Sequence, residues 1–297
     1  MRKLAIIDKN KNAHLSHWKA APDPKKFFST DNAVMSSLDA YNPDIVFINK
    51  GNMFTGILPV IKKYKSVYFY GDYYTPIPAY VYEYAKVCTA VIFTNKDQGL
   101  WKSIRTQCDQ KNIFFVPLGT DTDIFKPLKT IDKIYDIVFG GNYLGPSFCG
   151  SKLRLDLVEH LLEKGYNLQV VGNGWPAHIN AKPFQSHPEL NFTINQAKLT
   201  VGISHFINVP YYTSNRLFQF MATGVPHITW YSPKVKDLFL FGYKDVNSYE
   251  ELDKTIDDLF NNNSYRIYLG NEQLWEIRDR HTIYNAWDKI EKIMENI

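Results

Sequence analysis

Cysteine is scarce in this chain. Cys88, Cys108 and Cys149 are three in 297 residues, and they stand without the paired spacing of a disulfide framework or a metal site. They point to a reducing, cytoplasmic setting with buried thiols. Long apolar runs are missing too. None approaches the roughly 18 to 20 residues of a membrane span. The opening MRKLAIIDKNKN has a basic tip, but its apolar run is too short for a signal peptide, so it reads as a first strand. There is no P-loop, no nucleophile elbow, no GxGxxG fingerprint and no CxxC pair. His14 and His17 have no further ligands at zinc spacing, and no carboxylate pair suggests a bound metal, so no obligatory cofactor is expected. Charge of one sign is also modest. The net charge of +4 permits an anionic ligand without demanding nucleic acid. What is present is a globular composition, 45% hydrophobic and 22% charged, long enough for two cores. The 20 Tyr and 19 Phe exceed what a sugar-stacking or base-stacking surface needs, so core packing takes most of them.

Short apolar runs recur through the first half: KLAIID from Lys3, DIVFIN from Asp44, SVYFYG from Ser66, TAVIFT from Thr89 and NIFFVP from Asn112. Unbroken runs of this kind suit parallel strands covered on both faces. Helical segments fit between them, from Asp31 to Tyr41, Ala79 to Lys86 and Lys96 to Cys108. The stretch LGTDTDIFKPLKTIDK from Leu118 has turn-formers and little periodicity, and reads as a linker. A second series follows, with strands YDIVFG from Tyr135, NLQVVG from Asn167, LTVGIS from Leu199 and VPHITW from Val225. A helix opens at Lys152 and stops at Gly165. Another runs from about Ser264 to Arg280, with a helical tail beyond. Repeated βαβ units in two series predict an α/β protein of two doubly wound, Rossmann-like domains. Ligands of such sheets bind beyond the carboxyl ends of the strands, so a cleft between the two domains is the expected site.

Several strand ends carry chemistry. Gly140 and Gly141 follow a strand directly, where they either admit a phosphate or sugar to the backbone or simply make a tight turn. Lys152 and Arg154 open the next helix, as anion ligands or as a solvated start. Gly172, Asn173, Gly174 and Trp175 end another strand and suit a nucleobase, or a packed turn. Ser214 and Asn215 are N-cap residues followed by Arg216, a combination that can grip an oxyanion, with Gly224 and Pro226 as the helix stop. On the N-terminal side, His14 and Asp72 are candidate catalytic groups, able to orient or deprotonate an acceptor hydroxyl. The alternatives are an exposed polar loop for His14 and a turn residue for Asp72.

These segments together resemble a known family. VPLGTDTDIFKP, Val116 to Pro127, resembles the P-x-G-V-D-x-x-x-F-x-P interdomain segment of GT-B glycosyltransferases of the GT4-type group. SNRLFQFMATGVP resembles that group's R-x-F-E-A-L-A-x-G-x-P helix, and RHTIYNAW resembles the H-T-Y-x-x-R tail of the CgeB-like branch. The resemblance implies an acceptor-side domain over residues 1–127, a nucleotide-sugar-binding domain over 128–280 and a helix over 281–297 crossing back to the first domain. It places Gly140, Gly141 and Asn142 near the sugar-phosphate, Arg154, Ser214, Asn215 and Arg216 at the diphosphate, and Gly172 to Trp175 near the base. Gln219 and Tyr211 stand where the group usually has its two Glu residues, with Gln219 at the position that binds the donor ribose.

The implied activity is transfer of a sugar from a nucleotide-sugar, a UDP-sugar first and a GDP-sugar second, to a hydroxyl of a glycan, lipid or small molecule, with retention of configuration. Two alternatives stand beside it. One is a virus-type transferase acting on hydroxymethylated bases of DNA, whose mark would be a basic groove around Lys9, Lys11, Lys19, Lys25 and Lys26. The other is a non-catalytic nucleotide-sugar binding protein, for which the two changed Glu positions speak. A two-domain periplasmic-type receptor would share the architecture, but calls for a signal peptide.

Overall fold

The computed structural model describes residues 2–8, 19–23, 25–28, 34–49 and 55–297. The chain divides into two units, Met1–Leu118 together with Ile283–Ile297, and Gly119–Thr282. The division falls at Leu118, nine residues before the boundary expected at residue 127, so the string 119–127 belongs to the second unit.

In the first unit, chain order is β1 (Leu4–Ile7), β2 (Lys25–Phe28), α1 (Val34–Tyr41), β3 (Ile45–Asn49), α2 (Leu58–Ile61), β4 (Lys65–Tyr70), α3 (Ala79–Val87), β5 (Ala90–Phe93), α4 (Gln98–Cys108) and β6 (Ile113–Phe115). The six strands form one sheet in the order β2-β1-β3-β4-β5-β6, with every pair parallel. Successive side chains point to opposite faces of a strand. Ala5, Ile7, Val46, Ile48, Tyr68, Tyr70, Val91 and Phe93 therefore pack on one side, with α3 and α4. Leu4, Ile6, Ile45, Phe47, Val67 and Ile92 pack on the other. Asp97 starts α4 by accepting the N–H groups of Gly99 at 2.8 Å and Leu100 at 3.1 Å.

The second unit runs β7 (Tyr135–Gly140), α5 (Ser151–Glu163), β8 (Leu168–Val171), β9 (Ala181–Lys182), α6 (His187–Asn195), β10 (Ala197–Gly202), α7 (Asn215–Met221), β11 (His227–Trp230), β12 (Asp245–Val246), α8 (Tyr249–Asn261) and α9 (Asn263–Arg280). Its sheet, also all parallel, has the order β12-β11-β10-β7-β8-β9. Counted within the unit this is 3-2-1-4-5-6, the Rossmann order, and the chain reverses direction across the sheet between β7 and β10. That switch point is where a ligand site is expected.

The string 119–128 is not a free linker. Phe125 is buried, and α6 clamps the string with two amides. Asn191 Oδ1 accepts from Lys126 N at 3.1 Å, and Asn195 Oδ1 accepts from Leu128 N at 2.9 Å. The last helix, α10 (Ile283–Asn296), belongs to the first unit. Trp287, Ile290 and Met294 recur at helical spacing and cover the Leu4 side of the first sheet, with the Trp287 ring 5.1 Å from that of Phe47. Cysteine needs a correction. Cys88 is buried, but Cys108 is half-buried and Cys149 exposed. Among the described residues no helix is long and apolar enough to cross a membrane.

Candidate functional site

Two loops meet at the carboxyl end of the second sheet. Gly141 follows β7 and Gly172 follows β8, and they touch because Gly172 has no side chain. A Cβ on Gly172 would lie 2.1 Å from the Gly141 carbonyl oxygen, and one on Gly174 2.2 Å from that of Tyr143. The contact is laced by polar groups. Asn142 Oδ1 accepts from Asn173 N at 2.8 Å, and Trp175 Nε1 donates to Gly141 O at 2.9 Å. The Trp175 ring packs between Phe139 and Tyr143. Gly172, Asn173, Gly174 and Trp175 thus join one loop to the other. The Trp175 indole N–H is engaged by the protein itself, and its ring packs within the second unit. Gly140 is likewise a packing glycine, since a Cβ there would meet Phe220 Cζ at 2.4 Å.

Gly141 is different. A Cβ there would lie 3.1 Å from Arg154 Nη1 and 3.6 Å from Arg216 Nε, so two guanidinium groups from two helices flank one backbone position. Arg154 on α5 is fully buried. Its Nη1 donates to Asn142 O at 2.6 Å and to His205 Nε2 at 2.6 Å, and its Nη2 donates to Ile203 O at 2.7 Å. Among the described residues its Nε has no partner. Arg216, in the first turn of α7, is half-buried and faces a recess lined also by Gly202, Ser204, Ser214, His227 and Thr229. Among the described residues no carboxylate pairs with either cation. Burial, and then the charge of Arg216, hold the Arg154 guanidinium well below its usual range; burial lowers Arg216 as well. Arginine stays protonated in proteins. The shifts therefore express the cost of keeping two like charges out of water, which a bound anion would offset.

Two histidines that sequence reasoning passed over complete the site. His205 follows β10. Burial first, then Arg154 and Arg216, push its pKa down to about 3, so the ring is neutral. His227 opens β11, and burial pushes it to about 3 as well. Its Nδ1 is 2.9 Å from Thr200 Oγ1, whose own proton goes to Pro226 O at 3.2 Å. Nδ1 therefore carries the proton and Nε2 is left as an acceptor. The signal for His205 lay in the strand order: LTVGIS belongs to a strand flanking the switch point, so residues just past its carboxyl end face it, whereas His227 opens β11, one strand further out, and carried no such signal.

The remaining expected residues divide. Ser214 caps α7 with extended backbone but makes no side-chain cap; its N–H donates to Ser204 Oγ at 3.2 Å. Asn215 Oδ1 is buried without a partner among the described residues. Gln219 is buried one turn beyond Arg216, on the same helix face. Tyr211 lies at a left-handed turn, φ 61°, with its hydroxyl 3.4 Å from Asp237 Oδ2. Lys152 pairs with Asp156 at 2.7 Å on the surface, which is the solvated-start alternative. Asp72 belongs to the first unit, half-buried just past β4, between two ties that join its loop to the segment between β5 and α4. Thr94 Oγ1 donates to Gly71 O at 3.0 Å, and Tyr73 OH donates to Asp97 Oδ2. His14 lies outside the described residues. Among the described residues no cluster of His, Cys, Asp or Glu has the arrangement to hold a metal.

A family model described as glycosyl transferase-like matches residues 154–292, a stretch that contains Arg154, His205, Arg216 and His227. No curated protein matches the chain. Among solved structures, sucrose-phosphate synthase (tll1590) from Thermosynechococcus elongatus is similar over 100% of this chain and 99% of that one, with TM-score 0.72 and 12% identity. Anabaena Alr3699/HepE in complex with UDP-glucose is similar over 100% of both chains, with TM-score 0.70 and 11% identity. The DNA modifying enzyme beta-glucosyltransferase, determined with and without uridine diphosphoglucose, is similar over 99% of both, with TM-score 0.69 and 16% identity. At these identities the likeness is one of fold. The chain has the two-domain α/β architecture of these structures, the GT-B fold.

Proposed function

We propose that this protein is a GT-B glycosyltransferase that moves a sugar from a UDP-sugar to a hydroxyl acceptor. The carrying observation is the pair Arg154 and Arg216 beside Gly141, two cations without a counter-ion among the described residues, at the switch point of a Rossmann-ordered sheet. Breaking the bond between the anomeric carbon and the diphosphate oxygen leaves the electron pair, and growing negative charge, on the diphosphate. Fixed positive groups in a site poor in water stabilise that charge more than they stabilise the ground state. Arg216 is the cation with access to a ligand. Arg154 contributes its field from beneath. Gln219 supplies an uncharged amide on the Arg216 face of α7 for a donor hydroxyl. The UDP-glucose named for two of the similar structures supports a UDP-sugar ahead of a GDP-sugar. On the acceptor side Asp72 is the candidate base, and His14 is a second candidate from the sequence. Retention is the expected stereochemistry, read from the anomeric coupling of the product.

A thermal-shift screen of UDP-, GDP-, ADP- and CMP-sugars tests the donor, because a ligand bound only by the folded state raises its melting temperature. Arg216→Ala is expected to weaken UDP binding at least tenfold, about 1.4 kcal/mol, with the far-UV spectrum unchanged. Unaltered affinity would sink the assignment. Should UDP bind while both sugar transfer and donor hydrolysis are absent, the protein is a binding module and not an enzyme.

One observation favours DNA as the acceptor. The first unit carries 18 Lys and Arg against 12 Asp and Glu, a charge of +6, while the second carries 16 against 18, a charge of −2. Retention on duplex DNA that weakens steeply between 50 and 200 mM salt would support that acceptor, and salt-independent binding would exclude it.

A further inference from the structure

His205 has no place in the expected donor contacts, yet its surroundings are built closely around it. Gly150, the residue before α5, has φ 72°, and a Cβ there would stand 2.1 Å from the His205 carbonyl oxygen. No other residue lets the start of α5 lie on this backbone. The Phe148 ring meets the imidazole edge-on, with centroids 5.0 Å apart. Ring and backbone are therefore both held, and what they hold in turn is Arg154, at 2.6 Å.

Arginine has five donors and no acceptor. His205 Nε2 must therefore accept, which puts the ring proton on Nδ1 and keeps the imidazole uncharged. Of the three groups that bind the Arg154 guanidinium, two are carbonyls of Asn142 and Ile203, each at a strand-end loop, and the third is this side chain. A carboxylate in the same place would neutralise Arg154 and weaken its field at Gly141. A lysine would add a third positive charge. A neutral acceptor does neither.

We propose that His205 is a positioning residue for the donor's diphosphate: an uncharged hydrogen-bond acceptor that fixes the Arg154 guanidinium under Gly141 while leaving its positive charge for the ligand. The assignment rests on the donor site described above. Both arginines act on His205 in return. Its burial, and then their charges, hold the ring neutral down to about pH 3, so the strut does not switch over the physiological range.

Isothermal titration of UDP separates the outcomes. His205→Gln retains an amide oxygen that can accept, and His205→Met retains comparable bulk without it. UDP affinity is expected within about twofold of wild type for the Gln variant and at least fivefold weaker for the Met variant. Combined with Arg154→Met, the His205→Met change is expected to add nothing, because the two residues act through one bond. Equal affinity of the Gln and Met variants would overturn the proposal, as would additive losses in the double variant. Absence of UDP binding by the wild-type protein would instead take down the donor site itself.

Discussion

A single absent methyl group separates two adjacent glycines in this protein. Gly140 makes room for Phe220 of α7, at 2.4 Å from where its Cβ would stand, whereas Gly141 faces the two arginines. Gly140→Ala is therefore expected to act on stability. It should cost about 1–3 kcal/mol from overpacking, measured by urea unfolding, with UDP affinity preserved in the molecules that remain folded. In sequence the two are indistinguishable, a GG pair after a strand. The same holds for the two cations of α5. Lys152 and Arg154 read alike, but Lys152 lies on the outer face, where Asp156 pairs with it one turn on, and Arg154 points inward to three acceptors. Residue type was legible at each of these positions. Direction was not, because it depends on which face of α5 the sheet covers.

The elements themselves were largely legible. The short apolar runs of β1, β3, β4, β5, β6, β7, β8, β10 and β11 stand out because strands covered on both faces need no polar alternation. The short edge strands β2, β9 and β12 did not stand out, since each is two to four residues and borrows its order from a neighbour. Helices α6 and α8 also passed unread. The stretch LGTDTDIFKPLKTIDK from Leu118 reads as a linker for want of periodicity, yet Asn191 and Asn195, side chains more than sixty residues away, accept from the backbone of Lys126 and Leu128. Asn195→Ala would leave Leu128 N and Lys126 O without those bonds. A loss of about 1–3 kcal/mol is expected in thermal or urea unfolding, with the secondary structure kept. Helix α10 makes the opposite case. Its stripe of Ile283, Trp287, Ile290 and Met294 is readable as amphipathic, but which sheet it covers is not written in the stripe.

At the scale of the whole molecule, pH bears on stability through the two neutral histidines. His205 and His227 have folded-state values of about 3 against an ordinary 6.5. Below pH 6.5 the unfolded chain takes up protons that the folded chain does not. Their contribution is thus complete above about 6.5 and is lost progressively as pH falls toward 3. The urea midpoint is expected to drop between pH 7 and pH 5, and His227→Gln to flatten that drop. An unchanged midpoint in the wild-type protein would show that these rings are not held neutral.

The sequence alone determined the class of fold, because βαβ repetition and unbroken apolar strands leave few alternatives to two parallel sheets, and it marked Arg216 and the glycine-ended strands as the place to look. Only the tertiary structure decided which residues form the site. Gly141, Arg154, His205 and Arg216 span more than seventy positions, and no local pattern relates them. They meet because β7 and β10 are neighbours across the switch point of one sheet, and because the two helices that follow those strands bring their guanidinium groups to the same glycine. Pairing between distant strands is a property of the folded sheet, and with it come both the site's charge and the neutral histidine that holds part of it in place.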